Sequence, residues 1–247
     1  VQKLGAGVDG IVRDPDLPAE VRVCRLKPEA PAQEIAEYFA AHVLGRLRHI
    51  DRYRDQAVRG EWIQHPPGQC RGTTVAVLGL GHIGSMVADI FVRLGFRVTG
   101  WSRSLKDLPG VVAYTGEDGL DYVLGDADFI ASVLPSTPQT VGLFDAARLS
   151  RLKPGAVLMN AGRGDLVIES DLLRALDAGC PAGAVLDVFA NEPLPPEHPL
   201  WSHPKITVTP HVSGWHLEEG LDDVAENYRR LVAGEPLLHE VDRNAGY

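Results

Sequence analysis

With three cysteines, two methionines and 6% aromatic residues among 247, this chain is poor in the residues that staple small folds. Cys24, Cys70 and Cys180 stand far apart and form no C-x-x-C pair, which argues against a disulfide framework and against a cysteine-based zinc site. Unpaired thiols of this kind suit a reducing compartment, and the cytoplasm is the expected location. Positive charge is also scarce. A formal net charge of -9 lacks the excess of Lys and Arg that a nucleic-acid backbone requires. The densest basic stretch, Arg46, Arg48, Arg52 and Arg54, is interleaved with acidic neighbours, as on a solvated helix face. No apolar run approaches the roughly 18 residues of a membrane helix, so no membrane partner is expected. Repeats and low-complexity segments are missing as well, which leaves an ordinary globular composition of 45% hydrophobic and 23% charged residues.

Alternating strand and helix patterns fill most of the chain. Residues 73–78 (TTVAVL) form a β-branched apolar run suited to a strand buried on both faces. A helix is expected over residues 83–94, with Val87, Ile90, Phe91 and Leu94 at helical spacing and Gly95 as its stop. Further strands are expected at 96–101, 129–134, 156–160, 182–187 and 206–208, and helices at 117–124 and 169–178. This alternation predicts right-handed crossovers and an α/β fold, a doubly wound parallel sheet of the Rossmann kind. Ahead of it, residues 32–59 read as one long helix with Ile35, Phe39, Val43, Leu47 and Ile50 on a single stripe. At that length it is expected to pack between two lobes or against a second subunit of a homodimer, with a plain core helix as the alternative.

Between the first strand and its helix lies Gly79-Leu80-Gly81-His82-Ile83-Gly84. In a G-x-G-x-x-G turn the first glycine makes the tight bend, the second admits a pyrophosphate to the backbone, and the third allows helix and strand to pack closely. The helix N-terminus then offers N–H groups and partial positive charge to the phosphates. About twenty residues on, where NAD-binding proteins place a carboxylate for the ribose, this chain has Trp101-Ser102-Arg103-Ser104. Ser102 and Arg103 can pair with a 2'-phosphate, which favours NADP(H) over NAD(H). Arg103 stacking on adenine without discrimination is the alternative.

Three segments with reactive side chains fall at predicted strand ends: Asn160 to Gly164 with Arg163, the stretch after Asp187 with Glu192, and Thr209-Pro210-His211. Arginine can grip an anionic carbonyl compound, and histidine backed by a carboxylate can move the proton that accompanies a hydride. Taken singly, each of the three reads more often as a structural or surface residue. His198 and His203 read as loop residues, with no metal-ligand spacing around them.

The ordered set of Gly5-Ala6-Gly7-Val8-Asp9, the Gly-rich turn, residues 134–140 (LPSTPQT), the Arg163 segment, residues 191–195 (NEPLP) and Pro210-His211 resembles the D-isomer-specific 2-hydroxyacid dehydrogenases along nearly the whole chain. The resemblance implies reduction of a small 2-oxo acid, such as glyoxylate or hydroxypyruvate, with NADPH. It makes His211 the proton donor, Glu192 the group that orients and charges it, and Arg163 the residue that binds the substrate carboxylate and polarises the carbonyl. Backbone N–H groups of Ala6, Gly7 and Val8 are implied to complete the carboxylate pocket. His82, Ile83, Leu134, Pro135, Thr140, Ala161 and Asp187 are implied on the cofactor side, with Thr140 and Asp187 at its nicotinamide end. Gly162 stands where the family commonly has alanine or serine, and a slightly looser loop is expected there.

Residues 30–215 are expected to form the dinucleotide-binding domain, and residues 1–29 with 216–247 a flavodoxin-like substrate lobe. That lobe has 61 residues, against roughly 100 for a typical domain. Val1 already reads as strand. An incomplete lobe is therefore expected, with a start-site truncation favoured over a fragment or a genuinely shortened protein, and the chain as given is expected to bind cofactor yet turn over poorly. A non-catalytic dinucleotide-sensing module of the same fold is the competing reading. A short-chain dehydrogenase is disfavoured, because no tyrosine has lysine four positions later.

Overall fold

The computed structural model describes residues 1–243. Seven parallel strands, β1 (Thr74–Leu78), β2 (Arg97–Trp101), β3 (Val111–Tyr114), β4 (Phe129–Ser132), β5 (Val157–Asn160), β6 (Gly183–Leu186) and β7 (Ile206–Val208), lie in the order β3-β2-β1-β4-β5-β6-β7. The chain order reverses beside β1, so the crevice between β1 and β4 is the switch point at which open α/β sheets bind ligands. Eight α-helices accompany them among the described residues: α1 (Asp9–Val12), α2 (Glu29–Leu47), α3 (Ile50–Arg59), α4 (His82–Arg93), α5 (Gly116–Asp126), α6 (Ala146–Leu149), α7 (Glu169–Ala178) and α8 (Leu221–Ala233).

Side-chain alternation along each strand divides the core in two. Val75, Val77, Phe129, Ala131, Val157, Met159 and Val185 face α2 and α4, meeting Phe39, Val43, Val87 and Phe91. Ala76, Leu78, Ile130, Leu158, Ala184 and Leu186 face the opposite way, onto Leu120 and Leu124 of α5, Leu149 of α6 and Leu172 and Leu176 of α7. Both faces are covered, which is why these strands read as continuous apolar runs.

Register then sets where the chemistry falls. Leu78 pairs with Trp101 and Ser132, Ser132 with Asn160, Asn160 with Leu186, and Leu186 with Val208. These residues end their strands at one level. The loops that follow, beginning at Gly79, Ser102, Val133, Ala161, Asp187 and Thr209, consequently share one edge of the sheet.

Two expectations are corrected here. The single helix over 32–59 is two helices, broken at His49, whose φ of 54° is left-handed. Past the break the stripe turns outward: Ile50 is 52% exposed and Gln56 is the buried residue of α3. Residues 61–68 fold back along α3, with His49 Nε2 against the Pro66 carbonyl at 2.9 Å and Tyr53 donating to the His65 carbonyl at 3.1 Å. The apolar face of α2 packs on α4 and the sheet, as a core helix. Strand β3 is an additional edge strand, too short and too exposed to show a strong periodicity beyond its Val111-Val112 pair.

Residues 1–27 and the chain beyond 216 form a smaller cluster around Val8, Val23 and Val241. Here the extended segments pair only through isolated bridges, Gln2 to Cys24 and Cys24 to Glu240, among the described residues. Polar ties hold the segments together. Arg22 donates to both oxygens of Glu240 at 2.8 and 2.6 Å, and Arg243 donates to the carbonyls of Leu17, Pro18 and Ala19. Residues 244–247, the end of the expected lobe, lie outside the described residues.

Candidate active site

The Gly-rich turn has the geometry a dinucleotide requires. Gly79 has φ 99°, open to glycine with little strain. A Cβ on Gly84 would lie 1.7 Å from the Gly79 carbonyl oxygen, so only glycine lets α4 approach β1 this closely. Gly81 is the opposite case. It caps the N-terminus of α4 with nothing within 4 Å of a would-be Cβ, leaving open space over the first helical N–H groups. Nearby, the buried Ser132 hydroxyl at the end of β4 has no partner. This cradle fits a pyrophosphate.

Around it, Ile83 is half-buried in the core facing α2, and Leu134 is buried under Gly79. His82, exposed at the start of α4, has Nε2 3.2 Å from the Pro28 carbonyl. Ser102 is buried and donates to the Ser104 carbonyl at 2.8 Å, so its hydroxyl shapes the turn that presents the exposed Arg103. Thr140 is also occupied. Its hydroxyl donates to the Pro135 carbonyl at 2.6 Å and accepts from Thr137 N–H at 2.8 Å, which holds the 134–140 loop in shape. Ala161 is half-buried, its N–H donating to the Ser132 carbonyl at 3.0 Å.

Beyond β7, His211 Nδ1 lies 2.7 Å from Glu192 Oε2. The other oxygen of Glu192 accepts the Phe189 N–H at 2.9 Å, so the carboxylate is fixed at both ends. His211 has φ 55°, a left-handed conformation that costs about 1–3 kcal/mol in a non-glycine residue and needs support from its surroundings. Asp187 supplies it. Its wholly buried carboxylate accepts from Thr209 Oγ1 (2.6 Å), Val212 N–H (2.9 Å) and Ser213 N–H (3.0 Å), and its carbonyl accepts His211 N–H at 2.9 Å. Both carboxylate oxygens thus hold the histidine loop. Tyr38, from α2, extends the chain through a 2.7 Å contact with Thr209 Oγ1, and burial pushes its phenol well above the ordinary range. The imidazole itself is 53% exposed, and Nδ1 is the nitrogen that Glu192 holds.

The third segment carries Arg163. Asn160, buried at the end of β5, accepts the Gly162 N–H at 3.1 Å and donates to the Arg163 carbonyl at 2.8 Å. Gly162 is therefore pinned rather than loosened. A Cβ there would lie 2.4 Å from the Leu134 carbonyl oxygen, so the small residue answers a close approach of the neighbouring loop. Arg163 Nε donates to Asp9 at 2.8 Å and Nη1 to the Gly162 carbonyl at 2.7 Å. Gly7 lies against the guanidinium, where a Cβ would meet Nη2 at 1.3 Å. Val8 is buried and caps α1, and Ala6 stands at the surface, its carbonyl accepting from Arg25. The 6–8 loop, Arg163 and the Glu192–His211 pair thus gather at the shared sheet edge. Asn160, Tyr38 and Asp9 were not legible as site residues; the Gly5–Asp9 motif was the one sequence signal for Asp9.

The chain belongs to the D-isomer specific 2-hydroxyacid dehydrogenase family, whose NAD binding domain matches residues 40–213. Among its relatives is glyoxylate/hydroxypyruvate reductase A of Photorhabdus laumondii, 41% identical over 99% of this chain and 80% of the relative. A D-isomer specific 2-hydroxyacid dehydrogenase from Xanthobacter autotrophicus, solved with NADPH and MES, superposes with a TM-score of 0.95 at 40% identity, over 100% of this chain and 78% of that one. The NADPH-dependent glyoxylate/hydroxypyruvate reductase of Sinorhizobium meliloti, solved with NADP and sulfate, gives 0.94 at 38% identity, over 100% and 79%.

Proposed function

We propose that this chain is an NADPH-dependent reductase that converts a small 2-oxo acid of the glyoxylate or hydroxypyruvate class to its 2-hydroxy acid. The observation that carries the reading is the Glu192–His211 pair, fixed at 2.7 Å on the edge that also bears Arg163 and the Gly-rich turn. The names of the relatives, and the NADPH and NADP in the solved structures, agree with it. When bound, NADPH supplies the hydride to the carbonyl carbon. The chain's own residues supply the rest. Arg163 binds the substrate carboxylate and draws electron density toward the carbonyl oxygen; the Ala6, Gly7 and Val8 backbone closes the anion pocket. His211, as imidazolium, gives its proton to that oxygen, and Glu192 fixes the tautomer and stabilises the cation. Gly79, Gly81 and Gly84 hold the pyrophosphate end, with His82, Ile83, Leu134, Pro135 and Ala161 on the cofactor side; Arg103 pairs with the 2'-phosphate from the turn that Ser102 shapes, and Thr140 and Asp187 act at the nicotinamide end through the loops they hold in place. In this reading residues 30–215 are the cofactor domain, and 1–29 with 216–247 the substrate lobe.

The test is NADPH oxidation with a panel of 2-oxo acids. His211→Ala is expected to lose about 10²- to 10⁴-fold in kcat, the worth of a general acid. Equal rates in the variant would exclude the assigned role.

The same reading places the protein in the cytoplasm as a homodimer. It is supported by the three free cysteines and by the exposed apolar side chains on α3 and the segment after it, Val58, Ile63 and the 93%-exposed Trp62. Light scattering of the purified chain and of Trp62→Asp tests the dimer.

A further inference from the structure

Arg163 has a partner that none of the expected roles includes. Its Nε–H donates to Asp9 Oδ1 at 2.8 Å, both side chains being part-buried, and its Nη1 donates to the Gly162 carbonyl. These two bonds take the Nε edge and one Nη1 proton, and so fix the guanidinium plane. The remaining Nη protons are left for a bidentate partner, close to where Gly7 lies against Nη2. Asp9 itself is held. It opens α1, and Arg13, one turn on, reaches the opposite side of the same interface. There Arg13 Nη2 donates to Ser136 Oγ at 2.7 Å, and Nη1 is 3.6 Å from Asp165. Ser136 in turn donates to Asp165. The two prongs of α1 carry opposite charges, and each meets its complement: Asp9 meets Arg163, Arg13 meets Asp165.

From this geometry we infer that Asp9 is a positioning residue for Arg163, and that α1, docked through Arg13, is the device that aims the guanidinium at the substrate. The inference rests on the reading of Arg163 as the substrate-binding arginine. Its physical content is orientation. An arginine anchored only at Gly162 is free to rotate, and the planar fork binds carboxylate and carbonyl together only in one plane. Asp9 also keeps the negative charge on the Nε side, away from the outer edge where an anionic substrate arrives.

The test compares Asp9→Ala and Asp9→Asn with the unaltered chain. In Asp9→Ala the KM for glyoxylate is expected to rise more than kcat falls, with kcat/KM down about 10- to 100-fold, the range for one charge-assisted hydrogen bond. The Kd for NADPH, titrated by fluorescence without substrate, is expected to stay within about twofold, since the Gly-rich turn is untouched. Asp9→Asn keeps an acceptor oxygen for Nε–H and is expected to recover most of the loss. Calorimetric binding of oxalate to the NADP complex gives a readout without turnover, and its affinity is expected to fall in the same order. Equal oxalate affinity and equal kcat/KM in Asp9→Ala overturn the inference and leave the reading of Arg163 standing. Loss of NADPH binding in that variant also overturns it, because Asp9 would then support the fold at large. If the unaltered chain neither binds oxalate nor reduces any 2-oxo acid, the reading of Arg163 and the inference fall together.

Discussion

Gly164→Ala perturbs the site without touching a reactive group. Gly164 follows Arg163 directly, and a Cβ there would lie 1.9 Å from the carbonyl carbon of Phe189 and 2.0 Å from its oxygen. Ordinary carbon contacts need about 3.5 Å, so the two backbones must part by roughly 1.5 Å. Neither side is a flexible side chain. Gly164 is not in the left-handed region, so the substitution tests volume alone. Phe189 is the residue whose N–H holds Glu192. The displacement is therefore transmitted to both halves of the site, the arginine on one side and the carboxylate–histidine pair on the other. A misplacement of about 1 Å costs on the order of 10²-fold in rate, and overpacking costs about 1–3 kcal/mol of stability. We expect kcat/KM for the 2-oxo acid to fall about 100-fold or more in steady-state assays. With a urea slope near 3 kcal/mol/M, the unfolding midpoint should drop by about 0.3–1 M. NADPH affinity should change less than about threefold, because the Gly-rich turn follows β1, two strands away. Wild-type kcat/KM together with an unchanged midpoint would refute the coupling of the two loops through this contact.

Gly84→Ala brings a Cβ within 1.7 Å of the Gly79 carbonyl oxygen and should act at the other end of the cleft; NADPH affinity falls at least about tenfold, and a fluorescence titration superimposable on wild type would contradict it. Arg103→Ala should lower NADPH affinity by about 10- to 100-fold while NADH changes little, the worth of a charge-assisted pair to phosphate; parallel losses for both cofactors would assign the side chain to adenine stacking. Glu34, on α2, accepts from Trp215 N–H at 2.5 Å and pairs with His216 Nδ1. The bond from Trp215 N–H, then that from His216, lowers the Glu34 carboxyl below its ordinary 4.5, while its own bond and charge raise His216 above 6.5. The Glu34 contribution is present above 4.5 and is lost as pH falls through its depressed value; that of His216 is present below 6.5 and is lost as pH rises through its raised value. The stability gap between wild type and Glu34→Gln should thus be widest between about pH 4.5 and 6.5 in urea melts, and a gap that keeps growing toward pH 9 would show that the pair is not its source.

Much of the cofactor side was legible because its constraints are local. G-x-G-x-x-G after an apolar run specifies a strand, a bend and a helix start within a dozen residues, and β1, α4, β2 and α7 lie within a residue or two of their expected bounds. The long helix shows the limit of a pattern. Leu47 and Ile50 continue the apolar stripe on paper, yet His49 turns the backbone, and the helix beyond it follows polar contacts with residues 61–68. Strand β3 escaped because an edge strand is paired on one side only and carries little periodicity.

For the site, residue types and their order pointed to a guanidinium, a carboxylate and an imidazole. Their partners could not be read the same way. Asp9 and Arg163 are 154 positions apart, Tyr38 and Thr209 are 171 apart, and no spacing rule connects such pairs. Asp187 looks like one more polar residue at a strand end; burial and three donors make it the clamp on the His211 loop.

The sequence by itself determined the alternation of strands and helices, the phosphate turn and the chemical identity of the reactive groups, since each follows from backbone preference or side-chain type over a short stretch. Which strands lie side by side, at what register their ends align, and which distant carboxylate holds Arg163 were decided by tertiary structure, because these depend on how two apolar faces are buried at once across the whole chain.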